Sequence, residues 1–547
     1  MKKTLLGIFT VIAIAGLVSF NSLGDKYFEI SRNLDIYATL FRELNTHYVD
    51  GIDPEALVEE SIKAMLQSLD PYTTYIPASM LEAYKTSTTG EYGGIGAIVG
   101  RKNGVNTVIM PYEGFPAYQA GLKIGDLIFK IDGNDLKDKS SSDISELLKG
   151  NPNTPIKLAV KRFNRKDTFE VVLNRAKITI DNVPYYGLLE DNIGYIRLSD
   201  FTTNAGKEVN DALQALKKQG AENIILDLRG NPGGLLNEAI NVANVFVPKG
   251  QEIVSTKGKV TTWDQVYKAP ANAVDTVIPL VVLTNSGTAS ASEIVSGVVQ
   301  DYDRGVLIGK RTFGKGLVQA TRPLPYDAQL KVTTAKYYIP SGRSIQAIDY
   351  AKKNEDGSVA KIPDSLMVAY KTRAGRTVYD GGGIAPDIEV EVEYYSHILL
   401  SLVNQSIFFD YATKYYYDHP TIVSPSEFKL TDAEYNTFLN WVKEKDFELN
   451  GELDVVIKKL EEAAKNEQYY NGISGQLTAL KAKVEQVKAN YLTEFKKEVK
   501  TLLQEDIISR YYLYPGVLEA SLNYDPTVTE AISVLNDQTK YNKILNK

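Results

Sequence analysis

Three short, unbroken apolar runs constrain the fold most: Ile193-Gly194-Tyr195-Ile196-Arg197-Leu198, Asn223-Ile224-Ile225-Leu226-Asp227-Leu228 and Val277-Ile278-Pro279-Leu280-Val281-Val282-Leu283. Runs of this length without polar alternation suit strands covered on both faces. Residues 205–219 and 238–246, which lie between them, have helical spacing. Strands alternating with helices predict an α/β core over residues 178–395. The chain has 547 residues and is 44% hydrophobic, enough for two to four domains with folded cores.

The flanks read differently. Lys2 and Lys3 precede an apolar run from Leu5 to Phe20, followed by the small-residue stretch Ser22-Leu23-Gly24. The run has the length of a signal-peptide core and is slightly short for a full membrane span. Residues 1–24 are therefore expected to be a signal peptide or a retained membrane anchor. In either case the bulk of the chain is exported, to the periplasm or cell envelope and in the second case held at the inner membrane. Residues 25–88 are expected to be helical, from the spacing of Leu34, Tyr37, Leu40, Phe41 and Leu44 and from a restart at Pro54-Glu55-Ala56-Leu57 running to Leu69. Residues 89–177 carry short β-rich runs with glycine punctuation.

Residues 396–547 are expected to be helical, with a capping-box pattern at Thr431-Asp432-Ala433-Glu434. A near-heptad stripe runs Ile473, Leu477, Leu480, Val484, Val487, Tyr491, Phe495, Val499 and Leu502. It fits a helix packed on its own domain, or a self-association helix that makes a homodimer.

Composition excludes several chemistries. A net charge of −7 argues against nucleic acid as the main partner. Zero cysteines exclude a thiol nucleophile, disulfides and cysteine metal sites. The three histidines, His47, His397 and His419, are scattered, and neither a metal nor a cofactor is expected.

Candidate chemistry lies in Thr288-Ala289-Ser290-Ala291-Ser292-Glu293-Ile294 and Thr312-Phe313-Gly314-Lys315-Gly316-Leu317-Val318-Gln319. A serine hydroxyl must lose its proton to a base as it attacks. No histidine is near either stretch, so lysine is the substitute, and it must be neutral to act. Ala289, Ala291, Phe313 and Leu317 are expected to line the apolar pocket that lowers its pKa. Ser-Lys pairs are a variant of the serine triad. By itself Ser290 fits an N-cap or a packing site as well. Ser292 with Glu293 competes locally, Lys310 reads as surface, and Asp227 and Arg229 read as structural.

The order Ser290, Lys315, Gln319 resembles the carboxyl-terminal processing peptidases, also called tail-specific serine proteases. So do Asp227-Leu228-Arg229-Gly230-Asn231-Pro232-Gly233-Gly234, Lys331 to Tyr338 with Pro340-Ser341-Gly342-Arg343, and Gly383-Ile384-Ala385-Pro386-Asp387-Ile388. The resemblance covers residues 34–392, and the 25-residue step from Ser290 to Lys315 matches it. It implies an α/β catalytic core with an inserted or preceding β-rich PDZ domain and helical terminal segments. Gly94-Ile95-Gly96-Ala97 resembles a PDZ carboxylate-binding loop, and the stretch Ala120 to Ile128 with Ile131-Asp132-Gly133 resembles the later part of that domain.

Such a loop offers backbone amides to a peptide's terminal carboxylate while the peptide adds to the sheet edge. Its partners are proteins or peptides with accessible C-termini. Ser290, after a buried strand and before a helix, would use the Ala291 amide as one oxyanion donor. An amide of Gly233 or Gly234 is the second by resemblance. Gln319 would share a face with Lys315 if that segment were helical, and its amide would orient the lysine. The implied activity is hydrolysis of peptide bonds by a serine endopeptidase through an acyl-enzyme. The competing class is a non-catalytic, PDZ-containing binding or chaperone-like protein of the cell envelope.

Overall fold

The computed structural model describes residues 27–350, 352, 359–391, 395–445 and 452–547. The expected signal or anchor at residues 1–24 lies outside them. Among the described residues no helix is long and apolar enough to cross a membrane. The chain divides into two units: residues up to Pro77 with Thr321–Val332, and Ala78–Ala320 with Thr333–Lys547.

In the smaller unit, residues 27–47 and Pro54–Gln67 are helical. The second helix starts where Pro54 follows Asp53, whose carboxylate accepts from the Glu55 and Ala56 amides. Thr74–Ile76 pairs antiparallel with residues 329–331.

The larger unit opens with a β-rich domain. Its entry strand β1 (Glu91–Gly94) pairs with its exit strand, so the domain leaves and rejoins the chain at one ribbon. Between them β2 (Ala97–Lys102), β3 (Val105–Pro111), β4 (Leu127–Ile131), β5 (Pro155–Lys161) and β6 (Phe169–Asn174) form an antiparallel sheet in that order. Helix α1 (Ser141–Leu148), with a Ser140/Asp143 capping box, buries Ile144 and Leu148 against it. β2 is an edge strand of this sheet.

The α/β core has one six-stranded sheet. It begins with β7 (Tyr185–Leu188), antiparallel to β8 (Ile193–Arg197). β9 (Asn223–Asp227), β10 (Leu280–Thr284), β11 (Val306–Gly309) and the short Ile388–Glu389 follow in parallel. Alternation along the strands explains the unbroken apolar runs. Ile224, Leu226, Leu280, Val282 and Leu307 face one core, with α2 (Ala205–Lys218), α3 (Leu236–Phe246) and α4 (Ala291–Asp301). Tyr195, Ile225, Val281, Leu283, Val306 and Ile308 face the other way.

The far end of the chain covers that second face. Helix α5 (Pro526–Asn536) and the helix after it bury Val528, Ala531, Val534, Leu535, Tyr541 and Leu545 against the sheet. The Tyr541 hydroxyl accepts from the Leu280 amide at 3.0 Å. Asp525, which caps α5, pairs with Arg229 at 2.7 Å. Arg229 and Arg197 both pair with the buried Asp227, so Asp227 and Arg229 serve architecture, fastening the C-terminal helices to the sheet. These arginines hold the Asp227 carboxyl well below the usual carboxylate range despite complete burial.

Residues 397–445 and 452–521 are largely helical and share an aromatic core around Phe408, Tyr411, Tyr435 and Phe438. The near-heptad stripe is interrupted at Phe495, where one helix (Tyr470–Glu494) ends and another (Lys496–Ser521) begins. Tyr491 and Val499 are buried in that core, while Leu480 and Val487 are exposed.

Candidate active site

Three loops meet beyond the carboxyl ends of the parallel strands, where open α/β sheets place their ligands. Residues 228–234 follow β9, 285–290 follow β10, and 310–316 follow β11. Hydrogen bonds lace them together. The Gly230 amide donates to Asn285 Oδ1 at 2.8 Å, Thr288 Oγ1 to the Leu228 carbonyl at 2.9 Å, the Ala289 amide to the Asn231 carbonyl at 3.0 Å, and the Phe313 amide to the Thr288 carbonyl at 2.9 Å.

Ser290 is half-buried at the elbow between β10 and α4, with φ 55° and ψ −114°. A non-glycine residue held there is strained, as in other sharp strand-to-helix elbows that present a hydroxyl. Ser290 and Glu293 stand at the spacing of a capping box. The Ser290 amide donates to Glu293 Oε2 at 2.8 Å, whereas the Glu293 amide donates to the Ser290 carbonyl at 2.9 Å.

Glu293 is the residue that sequence reasoning missed. Its side chain is fully buried and accepts four hydrogen bonds. Oε2 takes the amides of Ser290 and Lys315, both at 2.8 Å, and Oε1 takes the Gly314 amide at 2.7 Å and the Thr312 hydroxyl at 2.5 Å. All four donors converge on the two oxygens of the Glu293 carboxyl group. Burial pushes its pKa up, and the hydrogen bonds from Thr312, Lys315, Ser290 and Gly314 counter that. Tyr337, also buried and also unassigned from sequence, makes the complementary link. Its hydroxyl reaches the Ser290 carbonyl at 3.1 Å and the Lys315 carbonyl. Glu293 thus ties the two segments by their amides, while the single Tyr337 hydroxyl proton is shared between their carbonyls.

The environment of Lys315 differs from expectation in two respects. Phe313 is 45% exposed, so it does not close an apolar pocket, although Ala289, Ala291 and Leu317 are buried. Residues 311–316 are loop and Leu317–Pro323 is a strand, so no helix joins Lys315 to Gln319. Glycines before the segment and a β-branched pattern within it favour the extended form. Alternation along a strand still puts Gln319 on the side of Leu317, and Gln319 Nε2 donates to Thr333 Oγ1 at 3.3 Å. Lys310, read from sequence as surface, is half-buried and pairs with the exposed Glu391.

Gly233 lies against the elbow. At φ +92°, a Cβ there would sit 2.8 Å from Ser290 Cβ, 2.6 Å from the Ala289 carbonyl oxygen and 2.7 Å from the Ala291 nitrogen. Its amide is occupied, donating to Asn231 Oδ1 at 2.9 Å. The amides of Gly234 and Ala291 make no hydrogen bond among the described residues. In the β-rich domain, Gly94 ends β1 and Ala97 starts β2, with Ile95 buried and Gly96 at φ +72°. The loop therefore leads directly into the free sheet edge. Among the described residues no group of acidic or histidine side chains is arranged to hold a metal ion.

The sequence matches known families along most of its length. Residues 192–356 match peptidase family S41, residues 108–162 a PDZ domain, and residues 398–535 the family described as probable PDZ-protease, C-terminal helical domain. The chain is 36% identical over 343 residues to the carboxy-terminal-processing protease of Bartonella bacilliformis, covering 62% of this chain and 77% of that protein. It is 35% identical over 352 residues to the carboxy-terminal processing protease CtpA of Bacillus subtilis, covering 64% and 73%. A solved photosystem II D1 C-terminal processing protease shares 29% identity with a TM-score of 0.35, over 64% of this chain and 86% of that one. The α/β core and its loops are those of a serine-type peptidase. The chain belongs to the carboxyl-terminal processing peptidases of family S41, with a PDZ domain and a C-terminal helical domain.

Proposed function

We propose that this peptidase uses Ser290 as nucleophile and Lys315 as general base. The double tie of Glu293 and Tyr337 between the backbones of Ser290 and Lys315 carries this reading, because it fixes the two segments against each other. Neutral Lys315 takes the Ser290 Oγ proton as the oxygen attacks a peptide carbonyl, then returns it to the leaving amine. Water hydrolyses the acyl-enzyme in a second cycle of the same proton transfers. The Ala291 amide and the Gly234 amide are the proposed oxyanion donors, since the Gly233 amide is already occupied. Gln319 orients Lys315 through its side-chain amide.

The PDZ domain engages substrate C-termini in this scheme. Residues Gly94, Ile95, Gly96 and Ala97 hold the terminal carboxylate with backbone amides, and the peptide adds to the edge of β2. Lys2 and Lys3 ahead of the apolar run from Leu5 to Phe20 support export, with the catalytic part in the periplasm or cell envelope. The test is mass spectrometry of exported proteins from cells with the native chain and with Ser290→Ala. A set of proteins should keep longer C-termini in the variant, and unchanged C-termini throughout would contradict the reading.

A further inference from the structure

A cleft of about 510 Å³ lies between the PDZ domain and the C-terminal helical domain; it reaches the Lys102 end of β2, and neither the 94–97 loop nor Ser290 lines it. Its volume is that of a ligand site, and interfaces between domains are where such sites concentrate. The two walls are in close contact below it. Gly125 of the PDZ domain approaches the helix Ile407–Asp418 so tightly that a Cβ would fall 2.8 Å from Thr413 Cγ2. Phe163 stacks on Tyr417 with ring centroids 5.7 Å apart.

The lining combines aromatic faces with positive charge. Phe163 contributes from the PDZ side, and Phe409 and Trp441 from the helical side. Lys102 Nζ stands 5.1 Å from the Phe409 ring and Lys445 Nζ 4.6 Å from the Trp441 ring. Two other cations are already neutralised, Arg162 by Asp126 at 2.6 Å and Lys414 by Asp418. Lys102, Lys161 and Lys445 make no close ion pair among the described residues, although the charges of Lys445 and Lys102 both act on Asp410. The one carboxylate in the lining, Asp410, accepts from Asn103 Nδ2 at 3.2 Å. Three such ammonium groups against one carboxylate leave a positive excess in a chain whose net charge is −7.

We infer that this cleft is an exosite for an acidic peptide segment in which carboxylates flank an aromatic or large apolar side chain. The carboxylates meet Lys102, Lys161 and Lys445, and the apolar side chain lies between Phe409, Trp441 and Phe163. A recessed slot between two domains admits an extended chain and keeps out a bilayer surface. Binding here requires neither Ser290 nor Lys315, so it stands apart from the catalytic reading.

The test uses the full chain carrying Ser290→Ala, so that nothing is cleaved. The probe is a fluorescein-labelled Asp-Phe-Asp-Leu peptide with an amidated C-terminus, which gives the PDZ loop no carboxylate to hold. Anisotropy should show saturable binding that weakens with salt. Lys102→Gln combined with Lys445→Gln should weaken it about tenfold, as expected for lost charge-assisted contacts. Trp441→Ala should weaken it separately, and an Asn-Phe-Asn-Leu probe should not bind. Absence of saturable binding, or equal affinity in the double lysine variant, overturns the proposal. Sedimentation with phosphatidylglycerol vesicles that depends on the same lysines would assign the patch to a membrane and overturn it as well.

Discussion

The Ser290 amide donates to the Glu293 carboxylate at 2.8 Å, three residues further along the same elbow. The same oxygen takes the Lys315 amide at 2.8 Å, so a single buried acceptor sets the separation of the two backbones. Glu293→Gln keeps the shape and replaces an acceptor with a donor that faces amides already pointing inward. It should lower kcat at least tenfold with little change in KM, and cost about 1–3 kcal/mol in urea unfolding. Normal kcat in this variant would remove Glu293 from the account.

The pH dependence has a definite sign. Burial raises the folded pKa of Glu293 above its ordinary value of 4.5. Its contribution therefore favours the folded state fully below 4.5 and is lost as pH rises through the folded value. The stability difference between wild type and Glu293→Gln should shrink across that window as pH rises. Chemical denaturation at a series of pH values reads it directly.

Tyr337→Phe removes the one hydroxyl shared by the Ser290 and Lys315 carbonyls and leaves the amide ties in place. The expected loss is on the order of 1 kcal/mol, seen as a several-fold fall in kcat at nearly constant KM. Circular dichroism should be unchanged.

Gly233→Ala forces a Cβ to within 2.6 Å of the Ala289 carbonyl oxygen, at a φ of +92° that alanine disfavours. The elbow has to move, and activity should fall by about a hundredfold or more, comparable to losing an oxyanion donor. An alanine variant with native turnover would show that this loop does not seat the nucleophile.

Asp301 and Arg343 form a buried pair at 2.9 Å at the end of α4, with the Asp301 carboxylate also taking the Ser341 amide. Arg343→Met strands a buried carboxylate and should cost about 3–5 kcal/mol. Arg343→Met with Asp301→Leu should recover part of that loss, as measured by thermal or urea unfolding.

Much of the core was legible because its strands are covered on both faces, which leaves unbroken apolar runs such as Val281-Val282-Leu283. The position of Ser290 between a strand and a helix was legible because a small-residue stretch follows such a run and precedes a helical one. Glu293 was not, since a glutamate beside Ser292 looks like local polar competition. Only its capping-box distance from Ser290 signalled it. The helix expected between Lys315 and Gln319 is a loop and a strand, an outcome that the glycines at 314 and 316 and the alternation after Leu317 indicate. Tyr337 sat in a recognised motif without a role, because its partners are carbonyls of distant segments. Val528, Ala531 and Leu535 stand at helical spacing, which carries no information on which sheet they cover.

The dyad is tested most directly by turnover of β-casein by the full chain and by single variants shown to be folded. Wild type should cleave it, while Ser290→Ala and Lys315→Ala should both fall to background. Lys315→Arg should be equally inactive, because a guanidinium stays protonated and cannot take the Ser290 proton. Turnover retained by Ser290→Ala, or normal rates in Lys315→Arg, would contradict the assignment of Ser290 as nucleophile and Lys315 as its base.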